Sequence, residues 1–532
     1  MDLYQWQEQA IETIKNKDAI ITSPTNTGKT IVAYHWAGIW EGKERVIFTA
    51  PIKALSNERY LELKKMGIDV GLQTGDIKRN QDAPVLCCTQ EIYTNRYADL
   101  PNQKVIIDEM HYISNNPDRA RAYVDGLRNT NKDSQLLIMS ATFGGVDNTK
   151  RYLDRITGKD FTLYQNNERI TPLTYLQEGI DAKDIRNSLV FVFSQKGVLG
   201  IAEDVANTRD KNSKVDLLKI KTIANELEIE NYHPTIDYGV GIYHGKMLPK
   251  EKIFTETLYR ENLIDTVVGT DALSLGVNLP AETVVFGQLA KFYDGPISKN
   301  EFVQMSGRSG RKGYFEQGYV TYLNDNAFYE SFDYDTDILY DKLLQAEHEG
   351  LNVDVGVDWK SVLNGSHTIK EEAEYVYNVS FPQTSDVSTI YEQIEETVEE
   401  INWYAENVFD NSKEMESFKN VLGDLYESEL EVFQNIELAR KVVQNGKVSV
   451  NDHLAVISMK NPNEYYSMMQ SLKLYPKMPS GYRSDKNLDF LKQRICEIDK
   501  AGLHFDELQE SLEKCCDNMR LDFPQSTSSL AL

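Results

Sequence analysis

The 532-residue sequence predicts an α/β protein with two tandem, doubly wound parallel-sheet lobes, followed by a mainly helical, acidic region. Three observations support this prediction. Short β-branched runs alternate with segments of helical spacing, which is typical of parallel sheets covered by helices. The alternation starts again after residue 165, which indicates a second lobe. From about residue 335 the strand pattern thins out and helical spacing continues.

The β-branched runs predict buried strands in both lobes. In the first lobe they are "DAIITS", "RVIFTAP", "PVLCCT", "KVIIDEM" and "LLIMSAT", and in the second "SLVFVFS", "YGVGIYH", "DTVVGTD", "ETVVFGQ" and "GYVTYLN". We expect the lobes at residues 1–160 and 161–330, with a polar helical insertion at about 205–237. Residues 331–532 form the third region, where "YEQIEETVEEINWYAENVF" and "LGDLYESELEVFQNIELARKVV" have helical spacing.

The charge is distributed unevenly along the chain. The net charge is −25, but residues 1–320 contain 42 acidic and 39 basic residues, and residues 321–532 contain 40 acidic and 18 basic ones. Local basic patches are therefore compatible with the first part. The acidic part is either a solvated helical surface or a docking surface for a basic partner.

Several classes of protein are disfavoured by composition. No apolar run approaches the roughly 18–20 residues that span a membrane, so we expect no membrane partner. The N-terminal segment has no basic, then apolar, signal pattern. The five cysteines lack C-x-x-C spacing and histidine pairing, which indicates reduced thiols rather than a metal site or disulfides. We expect a cytoplasmic protein, with a nuclear one left open.

A phosphate-binding loop is indicated by "SPTNTGKT", residues 23–30. It follows the strand "AIIT" and opens a helix, so backbone N–H groups and a helix N-terminus would face the phosphates. Lys29 would contact the β- and γ-phosphates of ATP, and Thr30 would hold Mg²⁺. Ser23 stands where the usual pattern has its first glycine, and an ordinary strand-to-helix turn is the alternative.

A pair of carboxylates ends the predicted strand "VIID", where parallel sheets place their ligands. Asp108 would hold Mg²⁺ through water. Glu109 would polarise or deprotonate the attacking water. Adjacent carboxylates are common on surfaces, so the specificity comes from their place after a buried strand.

Two arginines, Arg308 and Arg311, lie three residues apart in "QMSGRSGRKG". If the segment is helical, this spacing places both guanidinium groups on one face. Arginines brought to the γ-phosphate from a second lobe would stabilise the transition state. A basic surface turn is the alternative.

These stretches, with others in the same order over residues 4–323, resemble the motifs of superfamily-two DExH-box helicases. They are most similar to the superkiller-type (Ski2-like) branch, which includes the RNA-exosome-associated helicases. The other matching stretches are "WQEQAI", "TAPIKALSNERY", "GLQTGD", "CTQEIY", "SAT", "ITPLTYL", "VFVFSQK", "GIYHGKMLP" and "GTDALSLGVNLPA". That family itself varies at Ser23 and Asn26.

The resemblance implies two RecA-like lobes with ATP and Mg²⁺ between them. Gln7 would recognise adenine, and the remaining nucleotide contacts would come from Thr25, Asn26, Thr27, Gly28, Lys29, Thr30 and Gln304. Catalysis would use Lys29, Asp108, Glu109, Arg308 and Arg311. The lobes would close on ATP and reopen after hydrolysis.

The resemblance also implies a single nucleic-acid strand across both lobes. The expected contacts are Pro51, Lys53, Thr74, Gly75, Thr89, His244 and Thr270. A satisfied core histidine is the alternative for His244. Coupling between the nucleotide and this strand would involve His111, Ser140 and Thr142. Residues 286–302, between "GVNLPA" and the arginine segment, contain the turn signal Asp294-Gly295 and resemble a strand-separating hairpin, in which Phe292 and Tyr293 would stack against the terminal base pair. A short surface loop is the alternative.

Our leading interpretation is an ATP-dependent helicase on RNA, moving 3′-to-5′ as the resemblance implies. Two alternatives remain open. One is a DNA helicase of repair or recombination. The other is a nucleotide-switched module whose acidic region recruits a protein partner. The chain departs from large family members after about residue 330, where some 200 residues leave room only for a reduced winged helix and helical bundle.

Overall fold

The computed structural model describes residues 3–25, 27–75, 77–114, 117–141, 143–229, 231–245, 247–274, 279–291, 294–310, 313–324 and 335–408. Tertiary contacts divide the chain into two units, one of residues 1–112 and 122–351, and one of residues 113–121 with those from 352 onward. Both sheets of the α/β part belong to the first unit.

The first sheet contains the strands between residues 19 and 165. They are β1 (Ala19–Thr22), β2 (Arg45–Ala50), β3 (Val70–Gln73), β4 (Lys78–Arg79), β5 (Val85–Thr89), β6 (Gln103–Ile107), β7 (Gln135–Ser140) and β8 (Thr162–Gln165). Their order is β4-β3-β5-β2-β6-β7-β1-β8, and all pairs are parallel except β3–β4. The five strands predicted for this lobe are confirmed.

The helices of this part follow the strands as the alternating pattern predicts. They are α1 (Gln5–Ile14), α2 (Lys29–Ala37), α3 (Lys53–Lys65), α4 (Gln90–Arg96), α5 (Pro117–Asn129) and α6 (Val146–Thr157), with a short 3₁₀ helix at Met110–Ser114. Alternate residues of β2, Val46 and Phe48, join a core with α1, α2 and α3. Ile47 between them is also fully buried, so the sheet is covered on both faces.

The second sheet contains six parallel strands in the order β11-β12-β10-β13-β16-β9. They are β9 (Leu173–Tyr175), β10 (Ser188–Phe191), β11 (Val240–Tyr243), β12 (Thr266–Gly269), β13 (Thr283–Phe286) and β16 (Gly318–Tyr322). Leu189 and Phe191 of β10 join one core, and Val190 joins another. This alternation confirms a doubly wound second sheet.

The helices around the second sheet are α7 (Gln195–Asn207), α8 (Lys214–Glu226), α9 (Pro249–Arg260), α10 (Lys299–Ser306) and α11 (Thr336–Gln345), with 3₁₀ turns at Ala182–Asp184, Pro234–Tyr238 and Asp271–Ser274. Helix α8 lies inside the predicted insertion. Two short strands, β14 (Ala290–Lys291) and β15 (Gly295–Pro296), pair antiparallel. This pairing favours the hairpin over the short surface loop, and its role in strand separation stays a prediction. Gly295 has φ 74°, a left-handed conformation that glycine adopts without strain. Phe292 and Tyr293 lie outside the described residues.

The second unit is helical where it is described. It contains α12 (Trp359–Leu363), α13 (Ile369–Val379) and α14 (Val387–Val408), which share a core of Val362, Ala373 and Ile394. These helices confirm the helical expectation for residues 335–408. The second helical stretch, residues 422–443, lies outside the described part, and the reduced winged helix stays a prediction. Among the described helices, none has the length and apolar character to cross a membrane.

A buried ion pair joins the two chain segments of this unit. The guanidinium group of Arg121 pairs with the carboxylate of Glu372, which is fully buried, and donates to the carbonyl of Gly356 at 2.9 Å. Glu372 also accepts a hydrogen bond from the backbone N–H of Asp358 at 2.8 Å. Because a buried carboxylate is costly without partners, this network stabilises the junction of residues 113–121 with the residues after 352.

Candidate active site

The loop "SPTNTGKT" lies between β1 and α2. Gly28, at φ 78°, ends the loop, and Lys29 begins the helix. The hydroxyl groups of Ser23 and Thr27 lie 2.8 Å apart, and the Thr27 hydroxyl donates to the carbonyl of Pro24 at 2.9 Å. Ser23 is fully buried, and its backbone N–H donates to Ser140 on β7. A serine is therefore accommodated at the position where the usual pattern has glycine. Asn26 lies outside the described residues.

Gln7, expected to recognise adenine, packs against this loop from α1. Its Nε2 donates to the carbonyl of Gly28 at 3.1 Å, and its Oε1 accepts from the N–H of Tyr4 at 2.9 Å. A Cβ atom at residue 28 would lie only 2.7 Å from Gln7 Nε2. Glycine is favoured at this position by the left-handed φ, and a larger residue would also displace the amide of Gln7 from Gly28.

The two carboxylates follow β6 directly, and the strand order brings them near the loop after β1. Glu109 Oε2 lies 3.5 Å from Nζ of Lys29, and Asp108 Oδ2 lies 3.6 Å from a guanidinium nitrogen of Arg59 on α3. The backbone N–H of Glu109 donates to Asp108 Oδ1 at 3.0 Å. Glu109 adopts φ 52°, which is strained for a residue with a side chain.

Burial and neighbouring charges shift the pKa values of the two carboxyl groups in opposite directions. Burial and the adjacent Glu109 raise the pKa of Asp108 to about 6, against the opposing charges of Arg59 and Lys29. Burial acts in the same direction on Glu109, but the interactions with Lys29, His111 and Arg308 outweigh it and lower its pKa. Glu109 is therefore ionised at neutral pH, as a residue that accepts a proton from water must be.

His111 contacts three parts of the site. Its Nδ1 lies 3.4 Å from Glu109 Oε2 and 3.4 Å from the hydroxyl of Ser140. Its Nε2 lies 3.5 Å from Nε2 of Gln304 on α10. Burial lowers the pKa of His111, against the opposing effect of Glu109, so the ring is neutral at pH 7. Thr142 lies outside the described residues.

The arginine segment departs from the sequence expectation. Helix α10 ends at Ser306, so Arg308 lies in the turn that follows and not on the helix. Gly307 is the C-cap of the helix, and the backbone after it continues as a turn in which the N–H of Arg308 donates to the carbonyl of Met305. The Arg308 guanidinium donates to the carbonyl of Ser274. Arg311 lies outside the described residues.

The nucleotide loop and this turn approach each other very closely. A Cβ atom at Gly307 would lie 1.8 Å from the hydroxyl oxygen of Thr25 and 3.1 Å from its Cβ. Gly307 has φ −62°, so its backbone conformation would suit any residue. The requirement for glycine here is therefore steric.

The residues of the site fit a nucleotide with Mg²⁺. Among the described residues, Thr25 Oγ1 is buried without a hydrogen-bond partner, and Lys29 Nζ and Glu109 Oε2 are buried with only longer ion-pair contacts, such as the 3.5 Å separation between them. Buried polar atoms are rarely left in this way in a native protein, and polyphosphate oxygens and water would supply partners. Thr30, one residue into α2, and Asp108 are oxygen donors of the kind that Mg²⁺ prefers.

The candidate nucleic-acid contacts of the first lobe follow three adjacent strands. Pro51 and Lys53 come after β2, Thr74 and Gly75 after β3, and Thr89 ends β5. The order β3-β5-β2, with Ala50 beside Thr89, brings them to one edge of the sheet. This edge is continuous with that of the carboxylates, since β6 is the next strand.

The candidate nucleic-acid contacts of the first lobe differ in their exposure to solvent. A Cβ atom at Gly75, which is exposed, would lie 3.6 Å from Lys53 Nζ, so the two residues are neighbours. Pro51, Thr74 and Thr89 are buried, and the Thr74 hydroxyl accepts from the N–H of Ile77 at 3.2 Å. Of this group, Lys53 and the backbone at Gly75 are the accessible ones.

The two candidates of the second lobe also lie together. His244 follows β11 and Thr270 follows β12, where Tyr243 pairs beside Gly269. The N–H of Thr270 donates to the carbonyl of Tyr243 at 3.0 Å, and its hydroxyl accepts from Ala272 N–H at 3.3 Å. Both side chains are half-buried at the carboxyl end of the sheet.

Sequence reasoning missed two arginines of the site. Arg59 stands within the matched stretch "TAPIKALSNERY", but nothing in local spacing indicates that it reaches Asp108, 49 positions later. Arg169 donates to the carbonyl of Ser309 at 3.0 Å and of Gly307 at 3.5 Å, and so supports the arginine turn. Only long-range packing reveals either contact.

Comparison with known proteins agrees with this geometry. Residues 4–150 match the family "DEAD/DEAH box helicase", and residues 173–313 match "Helicase conserved C-terminal domain". The "mRNA transport homolog 4" of Caenorhabditis elegans is 27% identical over 76% of this chain and 47% of its own length. The human "Exosome RNA helicase MTR4" is 26% identical over 75% of this chain and 45% of its own. The mouse "Superkiller complex protein 2" is 26% identical over 60% of this chain and 33% of its own.

The chain thus spans about half the length, or less, of the curated relatives it matches. The two matched families together extend over more than half of this chain, in the order and spacing of its two parallel sheets. The chain therefore belongs to the DEAD/DEAH box helicases of superfamily two, and its relatives include the Mtr4-like and Ski2-like RNA helicases.

Proposed function

We propose that this chain is an ATP-dependent helicase or translocase that acts on RNA. The observation that carries the proposal is the arrangement at one sheet edge. Lys29, which is buried, and Glu109, which is half-buried, form an ion pair at one part of this edge, and Lys53 and Gly75 lie at the next part. This juxtaposition supports coupling between hydrolysis of ATP and contact with a nucleic-acid backbone.

The nucleotide chemistry follows from the side chains. Lys29 would hold the β- and γ-phosphates, and Thr30 with Asp108 would hold Mg²⁺, which supplies positive charge to the phosphate oxygens. Glu109, kept ionised by its cationic neighbours, would orient the attacking water and accept its proton. Arg308 and Arg311 would neutralise the charge that develops on the γ-phosphate.

The movement would follow closure of the lobes. Gly307 and Gln304 belong to the second sheet's part of the chain, and they contact Thr25 and His111 of the first. We infer that ATP favours this closed arrangement and that hydrolysis releases it. We further propose RecA-like lobes at residues 1–160 and 161–330, a helical region at 331–532, 3′-to-5′ movement and a cytoplasmic location. The names of the relatives support RNA as the substrate.

The test is the steady-state ATPase rate with no nucleic acid, with single-stranded RNA and with single-stranded DNA of the same sequence. Glu109→Gln provides the blank. Stimulation by RNA beyond that by DNA is expected, and 3′-tailed duplexes should then be unwound in preference to 5′-tailed ones. Equal or greater stimulation by DNA would contradict the RNA assignment. No stimulation by either would contradict the proposal as a whole.

We also propose a protein partner for the acidic region, since 40 of the chain's 82 acidic residues lie after position 320. A basic partner would be attracted to such a surface, and the attraction would weaken as salt rises. Removal of the residues after 408 should abolish binding of the partner and leave the ATPase activity. Loss of the ATPase activity with binding retained would contradict this assignment.

A further inference from the structure

Arg59 connects three elements of the first lobe. It lies on α3, the helix that begins at Lys53 beside the exposed Gly75. Its guanidinium group lies 3.6 Å from Asp108 Oδ2, and it donates to the hydroxyl of Tyr34 on α2 at 3.3 Å. Helix α2 is the one that Lys29 begins. Arg59 therefore belongs to the helix at the nucleic-acid edge, and its side chain contacts both the helix of the nucleotide loop and the carboxylate of Asp108 after β6.

The cation has two carboxylate partners in different environments. The side chain of Asp108 is 11% exposed, whereas that of Glu62, one turn further along α3, is 44% exposed. The guanidinium also lies 5.0 Å above the ring of Phe48 on β2, and its own side chain is only 18% exposed. Because little water screens it, the interaction with Asp108 depends strongly on their separation.

We propose that Arg59 is a positioning residue that couples nucleic-acid contact at α3 to the carboxylate of Asp108. A shift of α3 when the nucleic-acid strand binds would move the guanidinium relative to Asp108 and change how firmly that carboxylate is held. Since coupling is reciprocal, a nucleotide bound at Asp108 would change the affinity for the strand by the same factor. This inference rests on the proposed function, because it requires that both ligands bind.

The variants separate this role from a merely structural one. Arg59→Met removes the cation and keeps a long side chain, and Arg59→Lys keeps the charge without the planar group. Glu62→Gln is the matched control, since it removes the exposed partner from the same helix and leaves the pair with Asp108. Removing one member of a buried pair is destabilising, so thermal unfolding of each variant is measured first. Arg59→Lys keeps the test informative if Arg59→Met does not fold.

The experiment uses the full chain and a fluorescently labelled single-stranded RNA. Fluorescence anisotropy gives the Kd for RNA without nucleotide and with Mg²⁺ and a non-hydrolysable ATP analogue. The ratio of the larger to the smaller of these two Kd values is the factor by which the nucleotide analogue changes the affinity for RNA. This factor measures the coupling and does not depend on turnover. We expect the ratio to fall by about tenfold in Arg59→Met, the equivalent of about 1.4 kcal/mol. Arg59→Lys should recover part of it, and Glu62→Gln should keep the wild-type ratio.

The stimulation of ATPase by RNA should follow the same order. An unchanged ratio in folded Arg59→Met, or in Arg59→Lys if Arg59→Met does not fold, overturns the role of Arg59 and leaves the proposed function standing. A fall in the ratio for Glu62→Gln equal to that for Arg59→Met also overturns it, because the effect would then belong to α3 in general. Absence of RNA binding by the wild-type chain would overturn both proposals together.

Discussion

Substitution of Gly307 by alanine tests the closed arrangement of the two lobes directly. The added methyl group would lie 1.8 Å from the Thr25 hydroxyl oxygen and 3.2 Å from the carbonyl of Val303. Carbon and oxygen atoms that do not bond stay more than about 3 Å apart, so Thr25 or the turn must move by more than about 1 Å. The φ of −62° is compatible with alanine, and the backbone itself therefore offers no resistance.

The size of the effect follows from the cost of overpacking. An extra methyl group in a tightly packed site costs about 1–3 kcal/mol. If the closed arrangement is required in the transition state, this cost raises the barrier and lowers kcat/KM by about 5- to 150-fold. If the lobes open, the methyl group no longer meets Thr25, so the melting temperature should change little.

The assay is RNA-stimulated ATPase, and the control is a double variant. Thr25→Ala removes the hydroxyl oxygen, which leaves Thr25 Cβ, 3.1 Å away, as the nearest atom of that residue. Thr25→Ala with Gly307→Ala should therefore recover most of the activity that Gly307→Ala loses, relative to Thr25→Ala alone. Wild-type activity in Gly307→Ala, or no recovery in the double variant, would refute the reasoning that this contact belongs to the active state.

Three further predictions concern other parts of the molecule. Because the pKa of Asp108 is raised to about 6, a proton occupies this carboxyl group below pH 6 and competes with Mg²⁺. The Mg²⁺ concentration that half-saturates the ATPase should therefore rise about tenfold for each pH unit below 6 and stay constant above pH 6. Mg²⁺ titrations from pH 5 to 8 check this, and a half-saturating concentration that does not change with pH contradicts it. Glu372→Gln should destabilise the second unit by about 3–5 kcal/mol through Arg121, measured by thermal unfolding, with the half-exposed Glu374→Gln as an unaffected control. Lys53→Met should weaken RNA binding and lower the slope of log Kd against log salt by about one, and an unchanged slope would exclude a phosphate contact.

Local features of the sequence were sufficient to predict five strands of each sheet and the residues at their ends, but not β3, β4, β8 or β9. The runs "AIIT" and "VIID" are apolar and rich in β-branched residues, which favours buried strands. Gly28 and Lys29 at the end of one and Asp108 at the end of the other follow from that placement. Family resemblance added the roles of residues such as Gln304 that have no local signature.

The tertiary structure decided which of these residues meet. The order β3-β5-β2-β6-β7-β1 brings Lys29 to Glu109, 80 positions later, and Arg59 to Asp108. The structure also shows that α10 ends at Ser306, so Arg308 lies in a turn, contrary to the helical interpretation. The physical reason is that strand order and side-chain packing join residues far apart in the chain, whereas sequence spacing reports only on neighbours within a few turns of one element.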